Sequence, residues 1–189
     1  MRITGGKARG IPLKVPPGDG TRPTTDRLRQ AVFSSLGGII EHAIVLDLFA
    51  GTGAYGLEAL SRGAQCAYFV EKHPKVLPYL RTNLEHVLKS ADRSKDCAQI
   101  MQADALDWRP PAHIQFDLIF IDPPYAIWPN IADRLLTCFY PSVKSGSWLM
   151  IEYLKSYPPP IPSIYYIHKN LGTGKNPHIM MLQPQTKVS

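Results

Sequence analysis

Ile44-Val-Leu-Asp-Leu-Phe-Ala-Gly51-Thr-Gly53-Ala-Tyr-Gly56-Leu-Glu-Ala-Leu-Ser-Arg-Gly63, followed at once by Cys66-Ala-Tyr-Phe-Val-Glu71, reads as strand, glycine turn, helix and strand. Residues 44–48 are an apolar run of the length and β-branched character of a buried parallel strand. Residues 55–61 continue as a helix that stops at Gly63, and residues 66–70 return as a second strand ending in Glu71. Outward from this unit the pattern repeats. A helix is expected from Pro74, carrying Leu77, Leu80, Leu84 and Val87 on one stripe, with Pro78 placed to delay or kink its start. Further strands are expected over 98–102, 118–121 and 147–152, a helix over 130–140, and two closing strands over 164–168 and 179–183. Strands alternating with helices at this spacing predict an α/β, doubly wound, mostly parallel sheet of seven strands with right-handed crossovers.

The glycine loop follows a strand and opens a helix, and Glu71 lies twenty residues beyond Gly51. This is the context of a nucleotide-binding GxGxxG turn, with the acid placed to accept hydrogen bonds from ribose hydroxyls. A nicotinamide dinucleotide is the first reading, and a tight turn with no ligand is the bland one. Asp47 argues against the dinucleotide, because its carboxylate sits at the strand end where a pyrophosphate would approach. The same charge favours a cofactor bearing a sulfonium and an ammonium, which points to S-adenosylmethionine. Asp104 closes the third strand, third in chain order after Asp47 and Glu71. It is placed either to accept from an adenine amino group or to cap the turn that follows.

Phe116-Asp-Leu-Ile-Phe-Ile-Asp122-Pro123-Pro124-Tyr125 ends another apolar strand in a carboxylate, two prolines and an aromatic ring. In open α/β sheets ligands bind beyond the carboxyl ends of strands, and paired prolines stiffen the backbone without adding N–H donors. A rim of carboxylate and carbonyl oxygens beside the face of Tyr125 suits a planar group bearing NH2. Trp128, just beyond, is read either as a lid or as a core anchor.

The chain has 189 residues and a formal charge of +6, with seven of its 21 Lys and Arg in residues 1–30 against two of its 15 acids. A basic arm on a nearly neutral body is the footprint of a polyanionic partner, or else of a solubilising terminus. Residues 2–15 alternate around glycines as a short hairpin. Thr24 or Thr25 would cap a helix with Leu28, Val32 and Leu36 on one face, leaving Arg27 and Arg29 to point outward. Two regions are therefore expected: 1–38 as a basic hairpin-and-helix extension, and 39–189 as the catalytic domain. Three scattered cysteines, no metal-ligand spacing, no apolar run long enough to span a membrane and no signal peptide place the chain in the cytoplasm, with no metal.

Taken together, Asp47-x-Phe49-x-Gly51-x-Gly53, Glu71, Asp104 and Asp122-Pro-Pro-Tyr125 resemble the successive motifs of class I S-adenosylmethionine-dependent methyltransferases. The last motif is similar to that of enzymes methylating exocyclic amines of bases. Arg2-Ile-Thr-Gly-Gly-Lys7, Arg22-Pro-Thr-Thr-Asp-Arg27 and the long glycine-loop stretch resemble, more narrowly, the bacterial 16S ribosomal RNA guanine-966 N2-methyltransferases, the RsmD-like family. The resemblance implies a monomeric, single-domain enzyme acting on 16S ribosomal RNA in the small ribosomal subunit. It assigns S-adenosylmethionine to Asp47, Phe49, Gly51, Gly53, Glu71 and Asp104, and the transfer to Asp122, Pro123 and Tyr125. Arg2, Lys7, Arg9, Arg22, Arg27 and Arg29 are the expected RNA contacts. The segments 158–162 and 172–175 follow the family less closely, and no functional residue is assigned there. Another nucleic-acid amino methyltransferase, an RNA-binding assembly factor without activity, and an NAD oxidoreductase are the competing expectations.

Overall fold

The computed structural model describes residues 1–17, 26–174 and 177–185. Its strands are β1 (Ile44–Leu48), β2 (Cys66–Glu71), β3 (Ala98–Gln102), β4 (Phe116–Ile121), β5 (Val143–Tyr153), β6 (Tyr165–Leu171) and β7 (His178–Pro184). Its helices are α1 (Asp26–Leu36), α2 (Ala54–Ser61), α3 (Leu77–Ala91) and α4 (Trp128–Phe139). The seven strands form one sheet in the order β3-β2-β1-β4-β5-β7-β6. β1 to β5 are mutually parallel, and β7 runs antiparallel to both of its neighbours. The chain winds outward from β1 to β3 and then crosses back to lay β4 beside β1. That reversal opens a crevice above the carboxyl ends of β1 and β4, where ligands of open α/β sheets bind.

Because side chains alternate along a strand, each central strand feeds two cores. Val45, Phe69, Leu118, Phe120 and Met150 face α1, α2 and α3, whereas Leu46, Leu48, Val70, Ile119, Ile121 and Ile151 face α4. Among the described residues the second face has a single α-helix; Ala105, Leu106, Trp108 and Ile114 of the β3–β4 connection also pack there.

Element boundaries differ from the sequence expectation in three informative places. Helix α3 begins at Leu77, later than Pro74, with Pro78 in its first turn, where the missing N–H has no intrahelical partner to lose, so of the two expected effects of Pro78 the delayed start is the one realised. Helix α4 begins at Trp128 with Pro129 likewise in its first turn. The amino-terminal hairpin is reduced to one bridge, Arg2 with Pro12. Across it Ile3 N–H donates to the Ile11 carbonyl, Gly10 N–H to the Ile3 carbonyl and Leu13 N–H to the Met1 carbonyl, while Thr4 N–H and Ala8 N–H donate to the side chains of Glu58 and Ser61 on α2 and Lys7 N–H donates to the Ser61 carbonyl. Ile3, Ala8 and Leu13 sink into the same core as the sheet. Beyond α1 a 3-10 turn over Gly37–Ile40 leads directly into β1. No helix among the described residues is long and apolar enough to cross a membrane.

Candidate active site

Four strands end in an acid, and all four acids point to the same face. Asp47 lies two residues beyond Val45, Glu71 two beyond Phe69, Asp122 two beyond Phe120 and Glu152 two beyond Met150, so each continues the row of side chains packed toward α1–α3. The registers Asp47 with Phe120, Leu48 with Ile121 and Ile121 with Ile151 set Asp122 and Glu152 level on neighbouring strands. Asp47, Glu71 and Glu152 are buried and Asp122 is half-buried. Burial is the main force pushing the Asp47 carboxyl up to about 8, the Gly56 N–H partly opposing it and the Glu71 charge adding to it. Asp122 is raised well above the ordinary carboxylate range by burial first, then by the charges of Glu152 and Asp47. Such a group of like charges favours a cationic occupant.

The glycine loop is wound so that its N–H groups serve these acids. Gly51 N–H donates to Glu71 Oε2 at 2.8 Å, Gly56 N–H to Asp47 Oδ2 at 2.8 Å, and Gly53 N–H to the Ala50 carbonyl at 2.7 Å. Donors that would cradle a pyrophosphate are therefore already engaged. This disfavours the nicotinamide dinucleotide and fits the sulfonium and ammonium of S-adenosylmethionine. Gly53 has φ +87°, and a Cβ there would lie 2.5 Å from Leu80; a Cβ on Gly56 would lie 2.3 Å from the Phe69 ring. These glycines let α2 close on β2 and α3. Phe49, between strand and loop, is held at φ +58°, a conformation that a bulky residue adopts only under constraint. Glu71 Oε1 also accepts His73 N–H at 2.7 Å, which fixes the carboxylate at the β2 end.

Asp104 lies at the end of β3, beside this row. Its Oδ1 accepts Leu106 N–H at 3.0 Å and its Oδ2 meets Lys72 Nζ at 3.3 Å. The Leu106 N–H chiefly, and Lys72 with it, lower the Asp104 carboxyl below its usual range. The turn-capping reading of Asp104 is thus realised.

After β4 the chain runs Asp122, buried Pro123 and exposed Pro124 into a 3-10 turn over Tyr125–Ile127 that leads to α4. Tyr125 OH donates to Glu152 Oε1 at 2.8 Å, and Tyr55 OH, from the first turn of α2, donates to Glu152 Oε2 at 2.8 Å. Trp128 is fully buried and its Nε1 donates to the Glu152 carbonyl at 2.8 Å, so it is an anchor and not a lid. Tyr55 in turn stacks on Phe120, ring centroids 4.7 Å apart and planes 12° apart. Glu152 and Tyr55 received no role in the sequence reading. The available signal was the one that marked Asp47 and Glu71, an acid ending an apolar strand.

The basic arm divides. Arg2, Lys7, Arg9 and Arg27 are exposed. Arg29 is not: its side chain is wholly buried, with Nε 3.3 Å from Glu58 Oε2, Nη2 2.9 Å from Asp26 Oδ1, and a further bond to the Arg2 carbonyl. The expectation that Arg29 points outward to RNA is corrected by these contacts. Arg29 precedes Phe33 by one helical turn on a buried face wider than the Leu28–Val32–Leu36 stripe, and a buried acid on α2 receives it. Arg22 and the capping residues Thr24 and Thr25 lie outside the described residues.

Comparison with known proteins bears on this geometry. The family model described as "Conserved hypothetical protein 95" matches residues 1–180. The chain is 40% identical over 182 residues to Ribosomal RNA small subunit methyltransferase D of Escherichia coli strain K12, covering 93% of this chain and 86% of that protein. It is 32% identical over 178 residues to the protein of that name from Haemophilus influenzae, covering 92% and 89%. Among solved structures, the methyltransferase yhhF of Escherichia coli superposes with a TM-score of 0.83 at 27% identity, covering 99% of both chains. An RNA methyltransferase from Salinibacter ruber in complex with S-adenosyl-L-homocysteine shares the fold, with a TM-score of 0.64 at 12% identity over 88% of this chain and 96% of that one. The closing β6–β7 pair belongs to the same sheet, so the weaker sequence likeness at the end of the chain does not mark a different architecture. An acid-rimmed crevice at the β1–β4 reversal, on this sheet, is thus accompanied by likeness along nearly the whole chain: the protein belongs to the Conserved hypothetical protein 95 family, that of the ribosomal RNA small subunit methyltransferase D proteins, and has the class I methyltransferase fold.

Proposed function

We propose that this chain transfers a methyl group from S-adenosylmethionine to the exocyclic N2 of a guanine in 16S ribosomal RNA, as a cytoplasmic monomer acting on the small ribosomal subunit. The observation that carries the reading is the row of acids at the strand ends, which the loop N–H groups support and which faces a proline-stiffened acceptor rim. Family membership supports the ribosomal RNA substrate, and the guanine N2 target rests on the relatives' family.

The cofactor when bound supplies an electrophilic methyl on a sulfonium. Asp47, Phe49, Gly51, Gly53, Glu71 and Asp104 would hold it, with Glu71 able to accept from ribose hydroxyls and Asp104 from an adenine amino group. An aromatic amine is a poor nucleophile because its lone pair is delocalised into the ring. Asp122 and the Pro123 carbonyl accept hydrogen bonds from the NH2 group, drawing nitrogen toward a pyramidal shape and stabilising the positive charge that develops there. The two prolines hold these acceptors in place before the base arrives. Tyr125 stacks on the base, a contact of about 1–3 kcal/mol by alanine substitution. The guanine leaves its own stack to reach the site unless it is already unpaired. Arg2, Lys7, Arg9 and Arg27 hold phosphates, with Arg22 assigned to the same task, so residues 1–38 serve RNA binding and residues 39–189 the chemistry.

Labelled methyl transfer to unmethylated small subunits, free 16S RNA and DNA, assayed in parallel, tests the reading. Incorporation into the small subunit, recovered as N2-methylguanosine, is expected. Label in N6-methyladenosine or in DNA would replace the proposed substrate, and no label in any of the three would remove the activity.

A further inference from the structure

Glu152 is 1% exposed and sits where three elements meet. Its two carboxylate oxygens each accept a phenol, from Tyr125 and from Tyr55, and its main-chain carbonyl accepts the Trp128 indole N–H. Tyr125 and Trp128 are the first residue and the cap of one short turn, so both ends of that turn are tied to a single residue of β5. Tyr55 lies two residues past Gly53, on the helix that the cofactor loop opens. One side chain therefore couples the loop that carries the methyl donor to the ring that receives the base.

We propose that Glu152 is a positioning residue for methyl transfer: it sets the Tyr125 ring at the base-receiving turn against the Tyr55 end of the cofactor loop, and places its negative charge beside Asp122. This rests on the functional reading above, because it names what aligns the two halves of that site. A group that misplaces the base relative to the methyl, without touching either, loses rate more than affinity. The charged groups acting on Asp122 are Glu152 from β5 and Asp47 from β1; the phenols of Tyr55 from α2 and Tyr125 from the turn meet Glu152 itself. Removing the Glu152 charge leaves Asp47 as the remaining like-charge neighbour of Asp122.

Glu152→Gln tests this, since it keeps the volume and one acceptor oxygen but removes the charge and one of the two phenol acceptors. The first readout is independent of turnover: 13C NMR titration of the Asp122 carboxyl in the cofactor-free protein. In Glu152→Gln that titration should move down, as loss of a like-charge neighbour requires. The second is kinetic. Glu152→Gln should lower kcat by about tenfold or more while the cofactor Kd stays within about threefold. Tyr125→Phe, which removes the same hydrogen bond from the other side, should lower kcat as well, and the double variant should lose less than the product of the two single losses. An unmoved Asp122 titration together with independent, multiplicative losses would overturn the proposal and leave Glu152 a packing anchor. A parent protein that transfers no methyl would instead overturn the functional reading, while the Asp122 titration would still decide whether Glu152 acts on that carboxyl. Should Glu152→Gln fail to fold, Tyr125→Phe carries the kinetic test: full activity there would overturn the proposal.

Discussion

Two sets of buried carboxylates lie on the same side of the sheet and differ in how they are answered. Glu58, in the middle of α2, is fully buried and accepts from Thr4 N–H and Oγ1, Arg29 Nε and Arg62 Nε at 2.7, 2.7, 3.3 and 2.8 Å. The Arg62 guanidinium also lies over the Phe33 ring, 5.0 Å from its centre. At the strand ends the neighbours of Asp47 and Asp122 are other acids, and both carboxyls are raised. The compensated acid joins the amino-terminal arm to the body. The acids left with their charge unanswered form the proposed receiving place for a cation and an amine. A protein retains buried like charges at a cost in stability, so their survival at one edge of the sheet is itself a sign of chemistry.

That contrast can be broken by substitution. The largest effect is expected at Asp122: Asp122→Ala should lower methyl transfer by at least about a hundredfold, the scale of losing a preorganised transition-state partner, with cofactor affinity within about threefold. Activity near that of the parent would remove Asp122 from the chemistry. Glu58→Ala should do the opposite, costing about 3–5 kcal/mol in denaturant unfolding because buried Arg29 loses its fully buried carboxylate partner and retains Asp26. The surviving folded fraction should transfer methyl at the parent rate per molecule. A variant with parent-like stability would show that the Glu58 network does not hold the arm.

Acid–base behaviour sharpens the contrast further. The folded-state pKa of Asp47 lies at about 8, above its ordinary 3.8. A raised carboxyl is protonated in the folded chain and ionised in the unfolded one between those values. Its contribution to stability is therefore complete below the lower value and declines as pH rises to about 8. Thermal melts of the cofactor-free protein should fall more steeply from about pH 5 to 8 than those of Asp47→Asn, and parallel curves would show that Asp47 is not raised. The smallest effect belongs to the arm. Lys7→Ala or Arg9→Ala should weaken RNA binding modestly and reduce the salt slope by about one each, with kcat unchanged at saturating RNA. A flat salt dependence in the parent would remove the arm from RNA binding.

Most of the fold was legible because its signals are local. Residues 44–71 contain strand, loop, helix and strand in one uninterrupted pattern, and the near-continuous burial of β1, β4 and the end of β5 follows from apolar runs that a parallel sheet covers on both faces. Asp47, Glu71 and Asp122 could be singled out for the same reason, each ending such a run. What escaped the sequence depends on partners far along the chain. Arg29 looks like a surface charge until Glu58, 29 residues later, is brought against it. The hairpin forms as its alternation suggests, but the N–H groups of Thr4, Lys7 and Ala8 near its turn go to α2. Glu152 is next to last in its strand, as Asp47 is in its own, but its meaning comes from Tyr55, 97 residues away, and Tyr125, 27 residues away. Pro78 shows the converse: a residue that looks disruptive in the interior of a pattern is harmless once the helix is seen to start beside it.

The most direct test of the acid edge as a receiver of positive charge is calorimetry of S-adenosylmethionine and S-adenosylhomocysteine at neutral pH, each in buffers of different ionisation enthalpy. The two ligands share the amino acid and nucleoside parts and differ in the sulfonium, so the difference in protons released reports the carboxyls that meet that charge. With the Asp47 and Asp122 carboxyls both raised by burial and by neighbouring acids in the empty site, S-adenosylmethionine should expel a measurably larger fraction of a proton than S-adenosylhomocysteine, and Asp122→Ala should shrink the difference. Equal proton release for both ligands, or none for either, would contradict the assignment of this edge to a sulfonium donor.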